Sequence, residues 1–494
     1  MTIAKFVLDI NNGLLIMPKR SEEANDMRPK YNHQLEFEFG PSNLKVTNEY
    51  FGTLDRISEA LDENPRIVDL VHRDITKRDG KAKQGRDHTY ASDTALRIII
   101  CHIFLRESLR DTVVHVDDSR YLRKFVRIYG GKMMDFSTLD DLKNRIKPRT
   151  WRKINQLLNE YAVEQGRIDG DALRMDTTAS ETNIHWPTDS SLLWDTYRVL
   201  ARLVRAARQI DPDIGGDRRL LDKKVKRMMV WISRKTRKKT ALTPAVKERY
   251  KALIELVEGI LGWSGRIVDD LKRGIESHQY ELMAESAASE LVRQFEHFQD
   301  LGGRVVDQAT RRIFKGETVP ATEKILSIFE PHTEILIRGK AGKPVEFGHM
   351  VHVQQDRSKY ITGYEVFLMR PNENELVDSA IEGHRDLFGH YPNELSADKA
   401  YYESMEKIRE LEQKIGVVSI GKKGHKNEEE AEREADEAFR AGQRFRAGIE
   451  GTLSFLKRKL GLDRIMTKGP EHFISTVATA VFVHNLIILA RGVL

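Results

Sequence analysis

A single strand-like stretch, Leu173-Arg174-Met175-Asp176-Thr177-Thr178, is separated from every later strand signal by a long block of purely helical patterning. That spacing restricts the fold more than any other feature of the chain. Alternation of apolar and polar residues over 173–178 reads as a strand ending at acidic Asp176. From about 190 to 325 the apolar residues recur at helical spacing, over 192–210, 220–232, 244–261 and 281–298. After Pro320 the chain turns strand-rich, with segments at 325–329, 333–338, 349–354 and 361–369, then short strands at 394–398 and 417–420. Helical patterns at 375–388 and 402–415 separate these last strands. One strand, an all-helical block, then strands alternating with helices predicts an α/β unit with a large helical insertion after its first strand.

At 494 residues the chain exceeds what one core usually supports, so two or three domains are expected. The divisions read as an N-terminal extension at 1–47, a helical domain at 48–166, the first part of the α/β core at 167–189, a basic helical insertion at 190–324, and the remainder of the core at 325–494. The extension shows short strand signals at 5–10 and 34–39. In the helical domain, Ala95, Ile98, Ile99, His102 and Ile103 mark one helix, and Ser137 reads as the cap of another that stops before Pro148. Arg120, Arg123, Lys124, Arg127, Lys143, Arg145, Lys147 and Arg149 make the end of this region basic. That suits either a helix-turn-helix-like module on duplex DNA or a helical domain with ordinary surface charge.

The only cysteine, Cys101, excludes an internal disulfide framework and a thiolate-built zinc site, and fits a reducing compartment. The apolar segment 474–489 contains His484 and Asn485 and reads as a buried core helix; a soluble, cytoplasmic protein with no membrane partner is expected. The net charge of +6 conceals a concentrated source. Between Asp217 and Thr240 stand Arg218, Arg219, Lys223, Lys224, Lys226, Arg227, Arg234, Lys235, Arg237, Lys238 and Lys239 against Asp217 and Asp222, a local +9 that leaves the rest of the chain at −3. Basicity confined to one segment points to a polyanion-facing surface; the competing reading is a solvated helix face.

Three acids occupy comparable places: Asp176 at the end of the first strand, Asp398 at the end of a later one, and Glu450 on a helix after the last strand. If 443–458 is one continuous helix at about 100° per residue, Gln443, Arg446 and Lys457 fall within roughly 40° of Glu450. Ile449, Leu453, Leu456 and Leu460 form the adjoining stripe that would dock it. Carboxylates without thiolates or paired histidines suit two Mg²⁺ or Mn²⁺ ions and in-line phosphodiester displacement. Taken singly, each Asp is an ordinary turn former and Glu450 an ordinary i,i+4 partner of Arg446. Asp171 competes for the first position, Asp436 or Glu437 for the third, and Asp189 is a supporting residue or a helix cap. Trp186, Trp194 and Trp231 read as core packing or as a platform for an unstacked base. His185, His349, His352 and His384 lack metal-ligand spacing and read as structural, the alternative being that one of them assists near the site.

From about Ser108 onward the residues resemble the DDE transposases of bacterial insertion sequences, close to the ISNCY group. The resemblance runs through Met175-Asp176-Thr177-Thr178, the segment from Glu181 to Leu193, Ser327-Ile328-Phe329-Glu330-Pro331-His332 and the segment from Gly342 to His349. It continues through Ala397-Asp398-Lys399-Ala400-Tyr401-Tyr402, Arg446-Ala447-Gly448-Ile449-Glu450-Gly451 and Leu456-Lys457-Arg458. It implies an α/β fold with an RNase H-like catalytic core, and Asp176, Asp398 and Glu450 as catalytic residues binding two divalent ions, Mg²⁺ or Mn²⁺. Related enzymes carry a Tyr, Arg, Glu, Lys signature around the glutamate. Arg446, Glu450 and Lys457 fit its spacing, and Gln443 stands in the tyrosine position. Arg446 and Lys457 would then hold phosphates of the cleaved end as positioning contacts. The expected function is a DNA transposase that binds the inverted repeats of its element, as a dimer when two ends are synapsed, cuts there and joins the freed 3′-hydroxyl to target DNA. The alternatives are an RNase H-like nuclease or resolvase without strand transfer, and a DNA-binding regulator without catalysis.

Overall fold

The computed structural model describes residues 29–32, 40, 42–77, 90–237, 242–340 and 343–491. The strand signals at 5–10 and 34–39, and the candidate cations Lys238 and Lys239, lie outside the described residues. The chain forms two compact units, one containing the described residues up to Tyr161 with Leu489–Arg491, the other Ala162–Ile488.

The first unit is helical: α1 (Lys45–Asp62), α2 (Pro65–Thr76), α3 (Ser92–Leu105), α4 (Leu109–Asp118), α5 (Arg120–Val126), α6 (Phe136–Arg145) and α7 (Pro148–Glu164), whose last turn passes into the second unit. Local chemistry sets these boundaries. Ser108 and Ser119 cap α4 and α5 through their side chains, and Pro65 opens α2 where a missing N–H costs nothing. The cap of α6 is Asp135, which accepts from the Ser137 N–H at 2.8 Å, so the helix starts before the Ser137 cap expected from sequence. Helix α3 is buried nearly all round, and its Arg97, 2 % exposed, is neutralised from two sides. It donates to Asp62 at 2.8 Å, while Arg127 reaches the same Asp62 and, at 3.2 Å, Asp93. Burial pushes the Asp93 carboxyl up against the opposing pull of Arg97 and Arg127.

The second unit is α/β. In chain order it contains β1 (Ala172–Thr182), α8 (Asp189–Ile210), α9 (Asp222–Lys235), α10 (Pro244–Glu276), α11 (Leu282–Ile313), β2 (Glu334–Lys340), β3 (Lys343–Gln355), β4 (Ile361–Phe367), α12 (Leu376–Phe388), β5 (Glu394–Ser396), α13 (Met405–Glu412), β6 (Val417–Ser419), α14 (Glu428–Ala435), α15 (Glu437–Ala447), α16 (Ile449–Leu460), β7 (Arg464–Ile465) and α17 (Pro470–Arg491). The seven strands form one mixed sheet ordered β2-β3-β1-β5-β6, with β4 also on β3 and β7 also on β1. Strand β3 runs antiparallel to β1, β2 and β4; β5 and β7 run parallel to β1, and β6 parallel to β5.

Two apolar clusters among the described residues contribute to the core of this unit. Helices α8–α11 share their own core, built on residues such as Leu200, Val225, Leu253, Val257 and Phe295. The sheet's other cluster packs Leu173 and Met175 of β1, Leu395 of β5 and Val418 of β6 against Ile381 of α12 and Ile408 of α13. Each such fully buried side chain contributes roughly 1.5–3 kcal/mol. The expected strand at 325–329 is absent. The Ile325 N–H and carbonyl are satisfied by the Gln308 side chain, at 2.8 and 3.4 Å, instead of by a neighbouring strand. Ile325 and Ile328 sink into the helical cluster, which explains their apolar pattern. Helix α17 is long and apolar enough to cross a membrane by length and composition, yet 72 % of its most apolar window is buried. Its Asn485 exchanges two hydrogen bonds with the backbone of Ile361, at 2.9 and 2.8 Å, as a core helix beside a strand would.

Candidate active site

Strand β5 pairs with β1 only over Ala172–Arg174, with Arg174 opposite Ser396. Two residues beyond that pair stand Asp176, within β1, and Asp398, just past the end of β5, so the two acids occupy matching positions where the parallel pairing stops. Asp176 is not at a strand end, as the sequence suggests. Because β3 pairs with β1 from Arg174 to Glu181, β1 continues to Thr182, roughly 20 Å further. Alternation along β1 sends Leu173 and Met175 into the core under α12 and α13, and Arg174 and Asp176 to the opposite face.

That second face receives α15 and α16. Asp436 caps α15 by accepting from the Ala438 N–H at 2.8 Å. The helix then lies so close to β5 and β6 that a Cβ on Gly442 would meet Ser419 Oγ at 2.0 Å and Ser396 Oγ at 3.0 Å. The next residue, Gln443, donates through Nε2 to the carbonyls of Ala397, at 3.1 Å, and Ser419, tying α15 to the ends of both strands. The continuous helix expected over 443–458 is broken: α15 stops at Ala447 and α16 begins at Ile449. At the break Arg174 Nη1 donates to the Phe445 carbonyl at 2.8 Å, and the same carbonyl accepts from the Gly448 N–H at 3.1 Å, so it serves the sheet and the turn together. Gly448 keeps helical dihedrals, so the interruption is a local bend, and Arg446 still reaches across it to Glu450.

Arg446 ties the constellation together. Its Nη2 lies 3.2 Å from Asp176 Oδ2 and its Nη1 3.1 Å from Glu450 Oε1. The Asp176 side chain is only 10 % exposed, whereas Glu450 is largely in solvent. Asp398 is close by register but differently engaged: its Oδ1 accepts from the Ala400 N–H at 2.8 Å, capping the short turn Lys399–Tyr401. Among the described residues, no three His, Cys, Asp or Glu side chains converge as a cation site in this arrangement. The donor chemistry nonetheless fits a hard divalent ion. All three candidates are carboxylates, no thiolate is near, and two of them already share one cation.

The other sequence candidates fall in distinct places. Lys457 lies two turns along α16 from Glu450 on the same side of the helix. Lys223, Lys224, Lys226, Arg227, Arg234 and Lys235 are exposed on α9, and Arg237 just beyond it. Val225, Met228 and Ile232 bury the opposite face, and the one acid at the start of α9, Asp222, is held by Arg205 of α8 at 2.6 Å. Asp171 stands at the other end of β1, paired with Arg357 at 3.2 Å. Asp189 opens α8 and is gripped by Arg312 at 2.8 and 2.9 Å. Glu437 pairs with Arg444 at 2.6 Å. Trp194 and Trp231 pack on the helical core, whereas Trp186 is exposed, edge-on to Phe347. His185 pairs with Asp195 at 2.6 Å, which raises its pKa. Burial pushes His349, His352 and His384 down to about 4.

Sequence reasoning missed the residues that seat Glu450. Gln355 of β3 accepts from Arg174 Nε and Nη2, at 2.9 and 2.6 Å, and donates to Thr452 Oγ1 on α16 at 2.8 Å. The available signal was Arg174 itself, a cation two residues from Asp176 and therefore on the same strand face. Comparison of the chain with family models, with curated proteins and with solved structures finds no match in any of the three.

Proposed function

We propose that the chain is a DNA transposase acting through Asp176, Asp398 and Glu450. The observation that carries this reading is that Asp176 on β1 and Asp398 just past β5 each stand two residues beyond the last pair of these adjacent parallel strands, with Glu450 joined to Asp176 through Arg446. Ligand sites in α/β sheets form beyond the carboxyl ends of parallel strands, and both acids stand just past the last β1–β5 pair. The sheet supports an RNase H-like core: β1, β3 and β4 run antiparallel in sequence, and β5 and β6 follow parallel on the other side of β1. Helices α8–α11 are then an insertion after the first strand of that core, and the first unit is the proposed end-binding domain.

Two divalent ions on these carboxylates would supply the Lewis acidity for an attacking water or 3′-hydroxyl and for the leaving oxygen. The chain's own part is positioning. Arg446 and Lys457 present cations beside Glu450 to phosphates of the cut end, Gln443 fixes the helix to the strand ends, and the exposed stripe on α9 offers a further polyanion surface. Duplex DNA is the partner, with a dimer forming when two ends are held together.

The test is incubation of the purified chain with its element's terminal repeats, Mg²⁺ or Mn²⁺ and a target plasmid. Cutting at the repeat and joined product are expected, and Asp176→Asn, Asp398→Asn and Glu450→Gln should each abolish both while binding of the ends survives. Cutting without joined product supports a nuclease instead. Binding without any metal-dependent cutting supports a regulator.

A further inference from the structure

The carboxylates of Asp176 and Glu450 share one cation, and that cation is a side chain. Resting on the reading of Asp176, Asp398 and Glu450 as ligands of divalent ions, we propose that Arg446 is the site's resident counter-cation in the metal-free protein. A divalent ion loads by displacing its guanidinium from Asp176.

Three observations carry this. Asp176 is buried, and a buried carboxylate without a compensating cation is strongly disfavoured. Arg446 supplies that cation at 3.2 Å and extends the other arm of its fork to Glu450 at 3.1 Å, so one group neutralises both acids. Second, the pose is incompletely satisfied: Arg446 Nε is buried and has no hydrogen-bond partner. An unmatched N–H makes this pose less favourable for Arg446 than one in which every donor is met. Third, the arrangement that keeps Arg446 in place is also one in which the acids do not converge as a cation site, with Asp398 turned to its own Ala400 N–H. A guanidinium and a divalent cation repel one another, so both cannot sit on Asp176 at close range. Metal occupancy therefore releases Arg446, and the released side chain is the one placed to meet a phosphate.

Mn²⁺ binding to the full chain without DNA, followed by the electron paramagnetic resonance signal of free Mn²⁺, tests the exchange. Arg446→Gln should bind Mn²⁺ about tenfold more tightly than the unmodified chain, the size of an ordinary coupling between two sites. Adding Asp176→Asn to that variant should remove the gain. Arg446→Met, which keeps the aliphatic stem, replaces the Gln variant if that one fails to fold. In the unmodified chain, Mg²⁺ titration followed by arginine Nε resonances should shift one arginine signal with the midpoint of metal binding. Equal Mn²⁺ affinity with and without Arg446, together with loss of binding in Asp176→Asn, overturns the exchange and leaves the metal reading intact. No binding by any variant overturns both, and the absence of a shifting arginine signal on metal binding overturns the exchange alone.

Discussion

Arg174 donates from Nη1 to the main-chain carbonyl of Phe445 at 2.8 Å, and its guanidinium lies 4.6 Å from the centre of the Phe445 ring. One strand residue thus takes both the backbone and the side chain of the last turn of α15. Its other donors are bound by Gln355. Burial lowers its pKa to about 10, which leaves it charged at neutral pH. The bend that presents Glu450 above Asp176 is therefore fixed from inside the sheet.

Gly448 is the residue that this contact tolerates. A Cβ there would stand 2.3 Å from Arg174 Nη1 and 3.2 Å from the Phe445 carbonyl, with no room for Arg174 to retreat from its bonds to Gln355. Backbone strain is not involved, because Gly448 has φ −63°. Gly448→Ala is expected to cost about 1–3 kcal/mol as an overpacked contact. It should also cut metal-dependent cleavage far more than DNA binding, because Glu450 lies two residues on. Urea unfolding alongside cleavage and anisotropy assays checks this, and a variant with unaltered cleavage would contradict the proposed role of the bend.

What the sequence made legible follows from what periodicity can carry. The helical block after one strand and the alternating strands and helices after Pro320 were visible because each buries one face at a regular repeat. The extent of β1 was not visible. Thr177 to Thr182 is a polar run whose burial comes from β3, a partner more than 150 residues away in the chain. Residues 325–329 misled for the opposite reason, since a short buried apolar run looks the same whether a strand or the Gln308 amide satisfies its backbone. At the site, the three acids and Arg446 could be nominated from residue type and order. The Arg174–Gln355–Thr452 chain depends on three separate elements meeting, and no local pattern announces that.

The solvent face of α9 offers a direct test of polyanion binding. Lys223, Arg227 and Arg234 project within roughly 40° of one another, opposite the buried Val225, Met228 and Ile232, and span about 16 Å along the axis. All three are exposed, so replacing them with Gln should leave the unfolding midpoint essentially unchanged. Removing one cation that neutralises a phosphate lowers the slope of log K against log salt by about 0.9 on duplex DNA. The triple variant should therefore bind a duplex more weakly and with a slope shallower by about 2–3. Fluorescence anisotropy across a salt series measures both, and an unchanged slope places α9 outside the DNA interface.

Acid lability of the second unit is expected from its buried histidines. His352, on β3 opposite Thr177, is pushed down to about 4 by burial alone. In the unfolded chain it titrates near 6.5. Between those values the unfolded state binds a proton that the folded state refuses, so stability is fully present above pH 6.5 and falls as pH drops towards 4. His349 and His384 act in the same direction, while Asp356, pushed up to about 6 by burial, acts against them. Because the net slope mixes these groups, the informative comparison is His352→Gln against the unmodified chain. Moving from pH 7 to pH 5, the unmodified chain should lose about 1–2 kcal/mol more than the variant. Urea midpoints at the two pH values report this difference. A parallel shift of both proteins would mean that His352 is protonated as readily in the folded state as in the unfolded one, and that its burial between β1 and Tyr401 is breached by solvent.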